Sequence, residues 1–158
     1  MLDPLVLIFL TSGLFLGWAL GANDAGNVFG TAVGTKMVSW RTAAIICSIF
    51  VVLGAIVSGA GTSQTLGKLG AISALPGAFM TALSAAVAVY AMTKFGLPVS
   101  TSQAIVGAII GWNFFSNNPT DLSTLTKVLS TWIICPLLSG VIAIFLYQTM
   151  KFSARRVH

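Results

Sequence analysis

The stretch P-L-V-L-I-F-L-T-S-G-L-F-L-G-W-A-L-G-A-N-D-A-G-N, residues 4–27, decides the class of fold. Crossing ~30 Å of hydrocarbon takes roughly 17–25 apolar residues in a helix. Residues 4–20 supply most of one crossing, and the run then meets Asn23, Asp24 and Asn27 set among glycines. The chain has only three acidic residues, Asp3, Asp24 and Asp121, and Asp24 alone lies inside a long apolar run. An ionised carboxylate at bilayer depth is costly, so such residues are rare and mark functional sites. A negative charge with amides on both sides reads as a cation site, which points toward transport.

The rest of the chain supports the same class. It is 56% hydrophobic and 7% charged, against about 25% charged in a soluble domain. Five apolar segments, 4–20, 42–60, 76–93, 99–115 and 128–150, predict an all-α polytopic membrane protein. They are continuously apolar, without the alternation of a transmembrane barrel. The first segment lacks a basic leader region and continues into a polar motif, so it reads as a retained span. The net charge of +5 does not indicate nucleic acid, because its distribution sets topology. With five spans, Lys36, Arg41, Lys94, Lys151, Arg155 and Arg156 share one side, and Lys68 and Lys127 the other. The positive-inside rule then predicts the N-terminus outside and the C-terminus in the cytoplasm. The basic tail, which His158 ends, is placed to meet anionic headgroups of the lipid bilayer.

Local patterns add detail. Glycines, Asn and Asp within 21–27 weaken a helix, so the first helix is expected to break near mid-membrane. Gly26, Gly30 and Gly34 recur every four residues, a spacing that permits close helix packing. Gly61-Thr62-Ser63-Gln64 reads as a loop leaving the second segment. Segments three and four are either full spans or a re-entrant hairpin with residues 94–103 at its tip, where Lys94 would face an anion. Pro98 suits the approach to a helix start. Ser100, Thr101, Ser102 and Gln103 then crowd that start with donors, either as an anion site or as plain capping by Ser100. Pro136 is a candidate kink in the last segment. Cys47 and Cys135 read as buried thiols, and no nucleophile and base pair is visible, so an enzyme is not expected.

Two stretches carry a resemblance. G-A-N-D-A-G-N-V-F-G-T-A-V-G-T, residues 21–35, resembles the first signature of the inorganic phosphate transporter (PiT) family. P-V-S-T-S-Q-A-I-V-G-A-I-I-G-W, residues 98–112, resembles the second. The order and hydrophobic frame also match, over nearly the whole chain. The family carries two such repeats of inverted topology, so residues 1–158 are expected to form a single transmembrane repeat, the N-terminal half. An odd number of crossings lets a second copy insert upside down. The resemblance implies cation-coupled symport of inorganic phosphate. It assigns phosphate to Asp24, Ser100, Thr101 and Ser102, and a cation to Asn23, Asp24, Asn27, Thr101 and Gln103. Sodium is expected at Asn23, Asp24 and Gln103, since hard cations prefer oxygen ligands. Many members have histidine where this chain has Gln103, which removes one route to proton coupling and favours Na+ over H+. No cofactor is implied. The expected partners are phosphate, Na+, a second inverted repeat, either the missing half of a longer chain or a partner chain such as an inverted second copy, and further copies in a homo-oligomer, in the plasma (inner) membrane.

Three other readings stay open at this level. One is a proton-coupled permease for sulfate or another oxyanion, and a second is a channel. The third is a non-transporting membrane subunit, in which Asp24 would serve assembly only.

Overall fold

The computed structural model describes residues 3–70 and 75–157; His158 lies outside them. Every regular element among the described residues is helical: α1 (Pro4–Gly34), α2 (Trp40–Leu69), α3 (Leu75–Lys94), α4 (Thr101–Phe115) and α5 (Leu122–Val157). Four of them, α1, α2, α3 and residues 122–153 of α5, are long and apolar enough to cross a membrane. The protein is therefore all-α and polytopic. The chain divides into two compact units, Met1–Thr120 and Asp121–His158.

Capping chemistry sets the helix ends. Asp3 accepts from the Leu5 N–H at 3.0 Å, with Pro4 at the first helical position, where its missing N–H is harmless. Ser39 caps α2 through the Thr42 N–H at 3.2 Å. Three C-termini close by the same paired bonds. Lys36 and Met37 donate to Val33 and Ala32, Gly96 and Leu97 to Thr93 and Met92, and Asn117 and Asn118 to Phe114 and Asn113. That motif needs a left-handed residue, and Lys36, Gly96 and Asn117 have φ of 61°, 70° and 54°.

Within the first unit, α1 and α3 run parallel. Phe9 meets Phe79 edge-on at 5.7 Å, Trp18 meets Tyr90 at 5.7 Å, and the Thr93 hydroxyl donates to Asn23, 70 residues away. The seam between them is made of small side chains, with Ser12 and Ala19 on α1 and Thr81, Ala85 and Val89 on α3 all buried. Small residues let membrane helices approach closely. The Ser12 and Thr81 hydroxyls turn back onto their own helices, at the Phe9 and Gly77 carbonyls, which satisfies them in place.

The turn 95–100 sends α4 back antiparallel to α3. At the root of this hairpin Trp112 packs against Gly77, where a Cβ would fall 2.8 Å from the ring. Asn113 donates to the Leu69 carbonyl at the end of α2, at 3.3 Å, and to Thr120 at 2.9 Å. The hairpin thus starts and ends near the N-terminal end of α1, and its tip meets α1 at Asn23. Eleven residues separate Asn23 from Gly34, so α1 continues about 16 Å past the tip at 1.5 Å per residue. With 15 residues, α4 is about 22 Å long, short of a full crossing. With 20 residues, α3 is about 30 Å long, a crossing length.

Four expectations are corrected. First, α1 does not break at 21–27: it is one continuous helix of 31 residues. The Asn23 and Asp24 side chains bond outward to the hairpin instead of competing for their own backbone. Helix-interior glycines cost only about 1 kcal/mol each, less than backbone groups left unpaired in lipid. Second, residues 61–64 form no loop but continue α2. Third, no Cβ on Gly26, Gly30 or Gly34 would meet anything within 4 Å. These three follow Asn23 at helical spacing on the face that α3 covers lower down, and α3 ends at that level. They border an open groove of about 710 Å³ between α1 and α2. Fourth, the thiols are not buried: Cys47 is half-buried and Cys135 exposed.

In the second unit, α5 continues through Pro136. Asp121 starts it by accepting from the Thr124 hydroxyl at 2.6 Å and the Ser123 N–H at 3.0 Å. These bonds, the hydroxyl first, hold its carboxyl below the usual range. Their support is present above the ordinary carboxylate pKa and is lost as pH falls through the lowered value.

Gly77→Ala is expected to force the Trp112 ring aside and destabilise the first unit by about 1–3 kcal/mol, the usual range for overpacking. A Trp112→Leu change in the same chain should recover most of that loss, read as thermal stability in detergent.

Candidate functional site

The site forms where α1 passes the hairpin tip. Asn23 and Asp24 reach it because α1 stays helical and presents position 23 to α3 at the spacing of Ser12 and Ala19. Thr101 reaches it because Pro98 and the Ser100 cap fix where α4 begins; the Ser100 hydroxyl accepts from the Gln103 N–H at 3.3 Å. Asn23 Nδ2 donates to the Val99 carbonyl at 2.7 Å and to Asp24 Oδ1 at 2.9 Å. Thr101 Oγ1 donates to the same Asp24 oxygen at 3.1 Å, and Thr93 Oγ1 donates to Asn23 Oδ1 at 3.4 Å. Residues about 70 positions apart are thereby joined through side chains.

Beside this cluster lies an open pocket of about 440 Å³, lined by Asp24 and Asn27 of α1 and by residues 98–102 of the hairpin. Asp24 is half-buried. Its Oδ1 holds two donors, while Oδ2 has no hydrogen bond among the described residues. The first backbone N–H groups of α4, at Thr101 and Ser102, have no intrahelical acceptor, as at any helix start. One rim of the pocket is therefore an acceptor with a full negative charge. The opposite rim is a helix N-terminus with free donors, a partial positive charge and the Ser102 hydroxyl.

Most of the residues anticipated from sequence gather here: Asp24, Asn27, Ser100, Thr101 and Ser102 line the pocket, and Asn23 stands behind it. Gln103 does not join them. It is exposed and donates only its backbone N–H, to the Ser100 cap. Lys94 ends α3, is exposed and lies outside the pocket lining. Thr93 and the Val99 carbonyl were not anticipated. A threonine in the last turn of an apolar helix looks like any other, and a carbonyl leaves no sequence signal.

The fold and site define a polytopic helical membrane protein with a carboxylate and a helix N-terminus on one open pocket. Sequence comparison names it further: the chain belongs to the phosphate transporter family, whose profile matches residues 20–158. Relatives include proteins named "Putative phosphate permease" from Thermococcus kodakarensis, 30% identical over 96% of this chain and 40% of its own length. Others are from Pyrococcus furiosus, at 31% over 94% and 39%, and Haemophilus influenzae, at 31% over 93% and 38%. The chain thus spans about 40% of the length of these relatives. No solved structure matches it significantly.

Ser100→Ala removes the partner of the Gln103 N–H. Loss of such a cap costs about 1 kcal/mol, so amide exchange at Gln103 is expected to speed about fivefold if it proceeds by local fraying.

Proposed function

We propose that residues 1–158 are one repeat of a cation-coupled phosphate symporter, and that the pocket between Asp24 and the start of α4 binds both solutes. The observation that carries this reading is the charge balance of the pocket. Among the described residues, its lining includes the Asp24 carboxylate and no Lys or Arg. An anion entering beside Asp24 would be repelled unless a cation came with it. A cation held by Asp24 Oδ2 and the Asn27 amide removes that repulsion and leaves the α4 donors for the anion. Binding of each solute thereby favours binding of the other, which is a reciprocal coupling free energy.

Sodium is the proposed cation, because the available ligands are carboxylate, amide and hydroxyl oxygens, which suit a hard ion. Position 103 stands outside the pocket, so sodium rests on these oxygens rather than on the absence of a histidine. Phosphate is favoured over sulfate because a protonated phosphate can donate a hydrogen bond to a pocket acceptor and fully ionised sulfate cannot. A second, inverted repeat is proposed to complete the transporter, in line with the share of the relatives' length that this chain spans. The N-terminus is proposed to lie outside and the C-terminus in the cytoplasm, in the plasma membrane, with further copies forming a homo-oligomer.

The test is uptake of phosphate and of sulfate into proteoliposomes, with sodium and proton gradients imposed separately on the protein expressed from its complete native gene. Phosphate uptake should follow the sodium gradient, and uptake that follows only the proton gradient overturns sodium coupling. Asp24→Asn should cut gradient-driven uptake at least about tenfold, ~1.4 kcal/mol, with normal membrane insertion. Wild-type uptake by Asp24→Asn would remove this residue from the site.

A further inference from the structure

Asn23 and Asp24 are neighbours in the sequence and both are anticipated as cation ligands, yet their surroundings differ. Asp24 lines the pocket, as does Asn27, but Asn23 does not. Its side chain is turned toward α3 and the hairpin tip, and only 6% of the residue is exposed. We infer that Asn23 is a positioning residue, which clamps the hairpin tip to α1 and aims Asp24, and that it contributes no ligand to the bound ion. The inference rests on the pocket proposed above as the binding site and assigns a role within it.

The hydrogen bonds of the Asn23 amide decide this. An amide side chain has two N–H donors and one carbonyl oxygen. Both donors of Asn23 are in use, toward the Val99 carbonyl and Asp24 Oδ1, and its oxygen accepts from Thr93. The orientation of the amide is decided by its partners. Turned over, its oxygen would face the Val99 carbonyl at 2.7 Å and a carboxylate oxygen at 2.9 Å, with acceptors on both sides. The Asn23 oxygen keeps a second lone pair beside its 3.4 Å contact with the Thr93 hydroxyl, but the residue is buried outside the pocket lining, and its Nδ2 cannot ligate at all.

The clamp also explains why the tip has a defined place. Phe95, Gly96 and Leu97 donate back to the end of α3 and the Ser100 carbonyl accepts from Ala104, but among the described residues the Val99 carbonyl has no backbone donor. Asn23 is the one side chain among the described residues that bonds to the Val99 carbonyl, the last carbonyl before the α4 cap. Because Val99, Ser100 and Thr101 follow one another, fixing Val99 fixes the cap and brings the Thr101 hydroxyl to Asp24 Oδ1. Asp24 Oδ1 is then filled from two sides by Asn23 and Thr101, and Oδ2 is the oxygen left to a ligand. Asn23 acts on the site only through these two neighbours.

Two single changes separate the clamp from a ligand. Asn23→Asp keeps an oxygen ligand and adds charge, but an ionised Asp cannot donate to Val99 or to Asp24. Asp24→Asn keeps an Oδ1 that accepts from both Asn23 and Thr101, but removes the charge. The readout is deuterium exchange, by mass spectrometry, of the peptide covering residues 95–104. It is measured on the protein from its complete native gene, without sodium or phosphate. Asn23→Asp should exchange about tenfold faster than wild type in this peptide, and Asp24→Asn within about twofold of it. Thr93→Val removes the donor to Asn23 without touching α1. It should speed exchange about twofold to threefold, and it serves where Asn23→Asp yields no folded protein. In uptake assays Asn23→Asp should raise the half-saturating concentrations of sodium and phosphate together.

Unchanged exchange in Asn23→Asp, or in Thr93→Val where that variant stands in, overturns the clamp. So does an Asn23→Asp protein that binds sodium more tightly with phosphate affinity intact, because that is the behaviour of a ligand. If the wild type moves neither phosphate nor sodium, the proposed function fails, and the exchange experiment still decides the clamp.

Discussion

A carboxylate two-thirds of the way along a membrane-length helix has to be given polar company, and the rest of the first unit is arranged around doing so. Asp24 could have been neutralised by a lysine or arginine, as buried charges in membrane proteins often are. Here its protein partners are an amide on its own helix and a threonine hydroxyl on another. Hydrogen bonds lower the cost of burying the charge without cancelling it. In the proposed function, the residual charge makes the pocket select a cation first and an anion with it. A fixed lysine in the same place would bind phosphate without needing a coupling ion.

The same constraint accounts for the shape of α3 and α4. The tip leaves the Val99 carbonyl without a backbone donor among the described residues, and an unpaired buried carbonyl is costly. The tip therefore has to end beside a polar residue of another helix, and Asn23 supplies both a donor and an acceptor at that level. Below the tip the buried part of the contact between α1 and α3 includes Ser12, Ala19, Thr81 and Ala85, which let the helices come close enough for the Asn23 side chain to reach Val99. Above it α1 continues without α3, and its glycines face open space. Seam, tip and pocket are consequences of one depth, that of the hairpin.

The continuity of α1 has a functional side as well. A broken helix would have offered its own carbonyls and amides to the ions. An intact one can offer only side chains, and in the proposed function the backbone donors for the anion come from the second element, the start of α4. This divides the work between two parts of the chain that are far apart in sequence, and makes the junction between them the point at which a substitution changes binding without altering either helix.

What the sequence determined by itself is set by solvent and composition. Runs of apolar residues with few charges have no stable home except as helices in a bilayer. The class, the helix count and the singular place of Asp24 in an apolar run were therefore legible in the residues themselves. Ser100 as a cap was legible too, because capping is local. Tertiary structure alone decided that α1 passes unbroken through 21–27, since whether Asn and Asp turn on their own backbone depends on what stands opposite them. It also decided that Gln103 and Lys94 stay out of the pocket, because a residue's place on a helix face is useful only when the facing element is known. Finally, it brought Thr93 and the Val99 carbonyl to Asn23. Contacts between residues about 70 positions apart depend on helix packing and hairpin depth, which no local pattern encodes.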